Sequence, residues 1–123
     1  MTTAARKGNQ EGEIPVAQYF ISRGFHRVYR LGKQGLKDMG DIGGIDGVAI
    51  EVKNQAVYKF GPWMKELATE KAHKAANIGA LLVKPKGIGK TRVDQWWIVM
   101  TVGDFERLLV EAGYGPYENP EEH

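Results

Sequence analysis

The chain contains no cysteine. That excludes disulfide staples and metal sites built on thiolates, and it fits a reducing compartment. Long hydrophobic runs are missing too. The longest, Trp96 to Met100, falls far short of the roughly 20 residues a helix needs to cross a bilayer. The opening residues, MTTAARKGNQEGE, hold no apolar segment of the kind a signal peptide requires. Internal repeats and low-complexity stretches are also absent. Together these absences lead us to expect a soluble cytoplasmic protein. At 123 residues it is one domain, large enough to bury a core without covalent help.

Basic residues are absent from the C-terminal end. From Glu111 onward there are four acids (Glu111, Glu118, Glu121, Glu122) and no Lys or Arg. Residues 1–110 therefore carry 17 basic against 11 acidic side chains, a net of +6 inside an overall +2. A body of that sign attracts polyanions, although an ordinary soluble surface can carry the same charge.

Taken in order, residues 1–10 are small and polar and read as a flexible N-terminus. Val16, Tyr19 and Phe20 stand at i, i+3 and i+4, which predicts a helix over 13–23 with Pro15 in its first turn and Gly24 as its stop. Residues 25–31 read as a strand, 32–40 as a loop carrying Lys33 and Lys37, and 40–55 as a hairpin. A helix is predicted over 62–77 with Met64, Leu67, Ala68, Ala72 and Ala75 inward. Ala80 to Val83 is a strand buried on both faces, and 84–92 is a loop with four basic residues. Gln95 to Val102 reads as another buried strand. A final helix over 104–112 is expected to turn Phe105, Leu108 and Leu109 inward, ahead of an acidic flexible tail at 115–123. The order α-β-β-β-α-β-β-α describes an α/β chain with a mixed central sheet flanked by helices.

The chemistry concentrates in the hairpin. Glu51 and Lys53 share one face of its second strand, because side chains alternate, while Ile50 and Val52 take the other. Alone, that triplet is no more than a solvated strand face with an ion pair. Asp41 changes the reading if the register brings it beside Glu51. A two-residue turn at Asp46-Gly47 puts Asp41 on the wrong face. A three-residue loop Ile45-Asp46-Gly47 with Gly47 left-handed puts it opposite Glu51, and a bulge at Gly43-Gly44 does so equally well. Two opposed carboxylates with no His or Cys nearby favour Mg²⁺ or Mn²⁺. Lys53 beside them is placed to assist a water and to offset negative charge.

Asp41 followed by Ile50-Glu51-Val52-Lys53 resembles the motif of the PD-(D/E)XK nuclease superfamily, and the element order is similar to its restriction-endonuclease-like core. Over roughly residues 11–114 the chain resembles small Holliday-junction resolvase-like endonucleases of the phage type. The similar features are Glu13-x-x-Val16-x-x-Tyr19-Phe20 with Gly24, Gly40-Asp41-Ile42, Ile50-Glu51-Val52-Lys53-Asn54-Gln55, Trp63, Leu82-Val83-Lys84 and Trp97-x-x-Met100. The resemblance implies a homodimeric, Mg²⁺-dependent enzyme cutting phosphodiesters in branched DNA, with no membrane partner and no small-molecule cofactor. It would work in the host cytoplasm if phage-encoded. It implies Asp41, Glu51 and the backbone carbonyl of Val52 as metal ligands, with Lys53 as helper. The family's usual Pro before the Asp is Gly40 here. An acid on the first helix often joins such sites. Glu13 matches best, with Glu11 as the fallback, and a contact with the helix dipole is the plainer role for Glu13.

Gln55 shares the strand parity of Glu51 and Lys53 and is a further candidate for contact with phosphate or water. Asp46 reads as a turn residue. His26, His73 and His123 lack ligand spacing, Trp96 and Trp97 read as core, and Trp63 as core or interface. Arg27, Arg30, Lys33, Lys37, Lys84, Lys86, Lys90 and Arg92 form the expected phosphate-binding group, none assignable to base readout. Two other functions remain open: a less selective DNA or RNA nuclease, and a nucleic-acid-binding module without catalysis.

Overall fold

The structure, a computed structural model, describes residues 9–32 and 40–117. Residues 1–8 and 118–123, read as flexible ends, and Lys33 and Lys37 lie outside the described residues. The chain is α+β, with a five-stranded mixed sheet and three α-helices.

A π-helical turn Asn9–Glu13 runs into helix α1, Ile14–Ser22, so the helical start reaches two residues into the stretch read as a flexible N-terminus. Pro15 occupies the first turn, where its missing N–H leaves no hydrogen bond unmade. Gly24, at φ +101°, follows the C-cap Arg23. The sheet comprises β1 (Tyr29–Arg30), β2 (Ile42–Gly43), β3 (Val48–Lys53), β4 (Ile78–Val83) and β5 (Trp97–Val99), side by side in chain order. Helix α2, Phe60–Lys74, joins β3 to the parallel β4, and α3, Val102–Glu111, follows β5. The other three strand pairs are antiparallel.

Each face of the sheet has its own apolar cluster. On one face, Val16 and Ala17 of α1 pack on Ile42, Ile50, Val52 and Leu82. On the other, Trp63 and Leu67 of α2 pack on Ala49, Leu81 and Val83. All six residues of β4 are buried, as befits a strand covered on both faces.

Several elements differ from the expectation, each for a physical reason. The strand read over 25–31 shrinks to Tyr29–Arg30, because a turn bonds Val28 N–H to Phe25 O at 3.1 Å. The strand read over 95–102 is only Trp97–Val99. A 3-10 turn, Val93–Gln95, precedes it, and β5 lies at the sheet edge, where Trp97 and Ile98 are exposed. Helix α2 buries Trp63, Leu67 and Glu70, not the alanine stripe, since Ala68, Ala72 and Ala75 are exposed. Helix α3 is rotated the other way: Phe105 and Leu108 face outward and Asp104 is its buried residue.

That rotation has a visible cause. The Asp104 carboxylate accepts the N–H of Gly79 at 2.8 Å and pairs with Lys71 at 2.8 Å and Arg107 at 2.6 Å. Thr101 caps the helix, its Oγ1 accepting from Asp104 N at 3.2 Å. Burial pushes the Asp104 carboxyl up, but Lys71, the Gly79 N–H and Arg107 outweigh it and hold it below its ordinary value. Polar anchoring therefore docks α3, not apolar contact.

Candidate active site

The hairpin has the register that a three-residue loop requires. Ile42 pairs with Ile50, Val48 N–H bonds Ile45 O at 3.2 Å, and Gly47 sits at φ +80°, a conformation glycine adopts without strain. Asp41 is then fixed by three backbone contacts. Its N–H donates to Ile50 O at 2.8 Å, its carbonyl accepts from Leu31 N–H at 2.9 Å, and its Oδ2 accepts from Val52 N–H at 2.7 Å. The carboxylate thus takes the place of a carbonyl in the ladder. The N–H and C=O of one strand residue point to the same neighbour, so the Val52 carbonyl opens on the Asp41 side as well. Gly40, at φ +98°, stands where a Cβ would lie 2.8 Å from Ile50 O; no side chain, proline included, has room there.

Glu51 and Lys53 lie on the α2 face. Glu51 is buried, with the Asp41, Glu66 and Glu70 carboxyls in hydrogen-bonding reach. Lys53 Nζ stands 2.9 Å from Glu66 Oε2, 3.7 Å from Glu51 Oε2 and 5.9 Å from the Trp63 ring centroid. Burial, with Asp41 and the two glutamates next in weight, pushes the Glu51 carboxyl far up. The hydrogen bond between the two carboxyls is also the first cause that lowers the Glu66 pKa. Burial pulls the Lys53 ammonium down, but Glu66, Glu51 and Asp41 outweigh it, so Lys53 is firmly charged.

Comparison with family models, with curated proteins and with solved structures finds no match.

Glu66 and Glu70 were missed by sequence reasoning. A signal existed: spaced i, i+4, they share one helix face with Trp63 and Leu67. Reading the helix by its alanines turned that face outward. Glu51, Glu66 and Glu70 each bring a carboxylate oxygen within 4.8 Å of the others. This all-oxygen donor set, crowded enough to retain protons, is chemistry that a hard divalent cation relieves.

Glu13 stands at the head of α1, 3.8 Å from Arg30. Its carboxyl is pushed up first by burial and next by the charge of Asp41, so it belongs to the same electrostatic cluster. Glu11 instead lines a shallow pocket of ≈ 220 Å³ with Lys84, Gly89 and Lys90. Gln55 is exposed and lies two residues past the end of β3. Asp46 is exposed in the turn, 3.7 Å from Arg27, and Trp63 is a core residue. Lys84 N–H donates to Lys53 O at 3.0 Å, so the basic loop leaves the sheet at the end where Lys53 stands. Lys86, Lys90 and Arg92 on that loop are exposed.

Proposed function

We propose that the chain is a Mg²⁺-dependent endonuclease of the PD-(D/E)XK kind, hydrolysing phosphodiester bonds in branched DNA and working as a homodimer. One observation carries the reading: the hairpin register gathers Asp41, Glu51 and Lys53 at the sheet end from which the basic loop 84–92 departs. In open sheets with parallel strands, ligands commonly bind outside the carboxyl ends of those strands. β3 and β4 are such a pair, and Lys53 ends β3.

Asp41, Glu51 and the Val52 carbonyl would hold the cation, with Glu66 and Glu70 as a further oxygen supply on the helix side. A bound divalent ion contributes Lewis-acid stabilisation of a phosphate oxygen and acidifies water. Lys53, charged at neutral pH, supplies positive charge where a phosphorane-like transition state gathers negative charge. It is not a base in this state; Glu66 fixes its position through the 2.9 Å contact. Arg30, Lys84, Lys90 and Arg92 would grip the flanking phosphates.

Incubating the protein with four-way junctions, duplex and single strands in Mg²⁺ tests the reading. Junction cleavage lost by at least tenfold in Lys53→Ala and in Asp41→Asn is expected. Inactivity on all three substrates, or full activity in Asp41→Asn, would sink it. Cleavage of all three alike would favour the less selective nuclease, and Mg²⁺-independent binding without cleavage the non-catalytic module.

A further inference from the structure

Helix α3 carries an apolar stripe that the described residues leave exposed. Val102, Phe105 and Leu108 follow one another at i, i+3 and i+6, and they are 84%, 51% and 40% exposed. They form one wall of a groove of ≈ 560 Å³ whose other wall is β5, with Ile98 and Val99. Ile98 is 54% exposed, and no described strand pairs with the outer edge of β5. A cut in a solvated amphipathic helix would show this stripe turned to the core. Here the Asp104 anchor forbids that rotation, because it is held by Gly79 of β4 and Lys71 of α2 on the inner side. The exposed face is therefore fixed by the fold and is not a loosely docked helix.

We infer that the β5 edge and the α3 stripe form the interface with a second copy of this chain. Three observations select that occupant. First, the edge Trp97-Ile98-Val99-Met100 holds no charge, no proline and no bulge, three of the devices that keep an open edge from pairing; β5 is only three residues long, so the side-chain stripe must carry most of the contact. Second, an edge strand rotated about a two-fold axis runs antiparallel to itself, so β5 and α3 make a self-complementary surface without any further element. Third, Ile98, Val102, Phe105 and Leu108 line the groove, and their exposed parts offer roughly 400 Å² per copy, about half of the roughly 800 Å² per partner in a standard interface. The segments 1–8, 33–39 and 118–123 offer little of matching chemistry, with Met1, Leu36 and Met39 as their only large apolar side chains. The inference rests on the homodimer proposed above and gives it a surface; it is tested by mass and not by cleavage, so the surface and the nuclease activity can fail separately.

The experiment is sedimentation velocity of the full chain at micromolar concentration, alone and with single substitutions. The expected result is a species of twice the chain mass for the wild type and for the control Tyr29→Lys, an exposed position on β1 at the opposite edge of the sheet. Ile98→Lys and Phe105→Glu are expected to sediment as monomers. Far-ultraviolet circular dichroism and a thermal melt accompany each variant; both positions are half exposed, so each variant should keep the wild-type spectrum. A monomeric wild type, bare or engaged only with some other protein, overturns the inference. So does a dimer that survives both substitutions in folded protein. Should one variant unfold, the other decides by the same reading.

Discussion

Glu51 is a carboxyl group that the fold buries beside three others, Asp41, Glu66 and Glu70, with one ammonium for company. Without a cation, such a group stays protonated, and that has a consequence for stability. Its folded pKa lies above the ordinary 4.5. Its contribution is whole below 4.5 and is eroded as pH rises past it, because only the unfolded chain can then release the proton. Glu51→Gln keeps the shape and removes the titration. In metal-free protein at neutral pH it should raise stability by on the order of 1 kcal/mol, with the gain shrinking towards pH 4.5. Thermal melts across that pH range, with and without Mg²⁺, check this. Mg²⁺ should stabilise the wild type and leave Glu51→Gln unmoved. A less stable Glu51→Gln at neutral pH would mean that Glu51 is ionised and its partners are wrongly assigned.

At the scale of the element, α3 is a helix whose docking is decided by one acid. Asp104→Asn removes the charge that holds Lys71 and Arg107 and weakens the contact with Gly79 N–H. A loss of about 2–3 kcal/mol is expected, as for a buried charged hydrogen-bond acceptor. The pH signature runs opposite to that of Glu51. Because the Asp104 pKa is held below its ordinary 3.8, its stabilisation is present above that value and lost as pH falls through the folded value. Urea unfolding of the wild type and Asp104→Asn should therefore converge in acid. Curves that stay equally far apart at low pH would refute the assignment. The same residue explains what the sequence concealed. Apolar periodicity located α3 to within two residues but turned Phe105 and Leu108 inward, where of the three residues read as inner only Leu109 is half-buried, because an apolar stripe looks the same whether a core or a second molecule covers it. Helix α2 misled for a related reason. Its inner face carries Glu66 and Glu70, and periodicity arguments treat acids as outward. The hairpin was legible as far as its question: strict alternation makes register a matter of parity, but the sequence left two loops and a bulge open, and only the Ile42–Ile50 pairing chooses among them.

At the scale of the whole molecule, charge and topology converge at one sheet end. The acids of the site sit just before β2 (Asp41), on β3, on α2 and at the head of α1, and the exposed cations on the loop after β4, so the proposed polyanion would be drawn in by the loop and met by the cluster. Electrostatic attraction of that kind is salt-dependent, with a slope of about 0.9 per neutralised phosphate. Lys84, Lys90 and Arg92 all belong to the loop, and the side chains of the last two are exposed and take no part in the apolar clusters. Replacing the three together by Ala should therefore leave the thermal melt where it is. It should lower junction affinity, with the slope of log affinity against log salt reduced by about 2–3. Binding titrations at several salt concentrations in Ca²⁺, to hold back cleavage, read that slope directly. An unchanged slope would move the phosphate-binding surface away from the loop and leave Arg27 and Arg30, at the opposite edge of the sheet, to carry it.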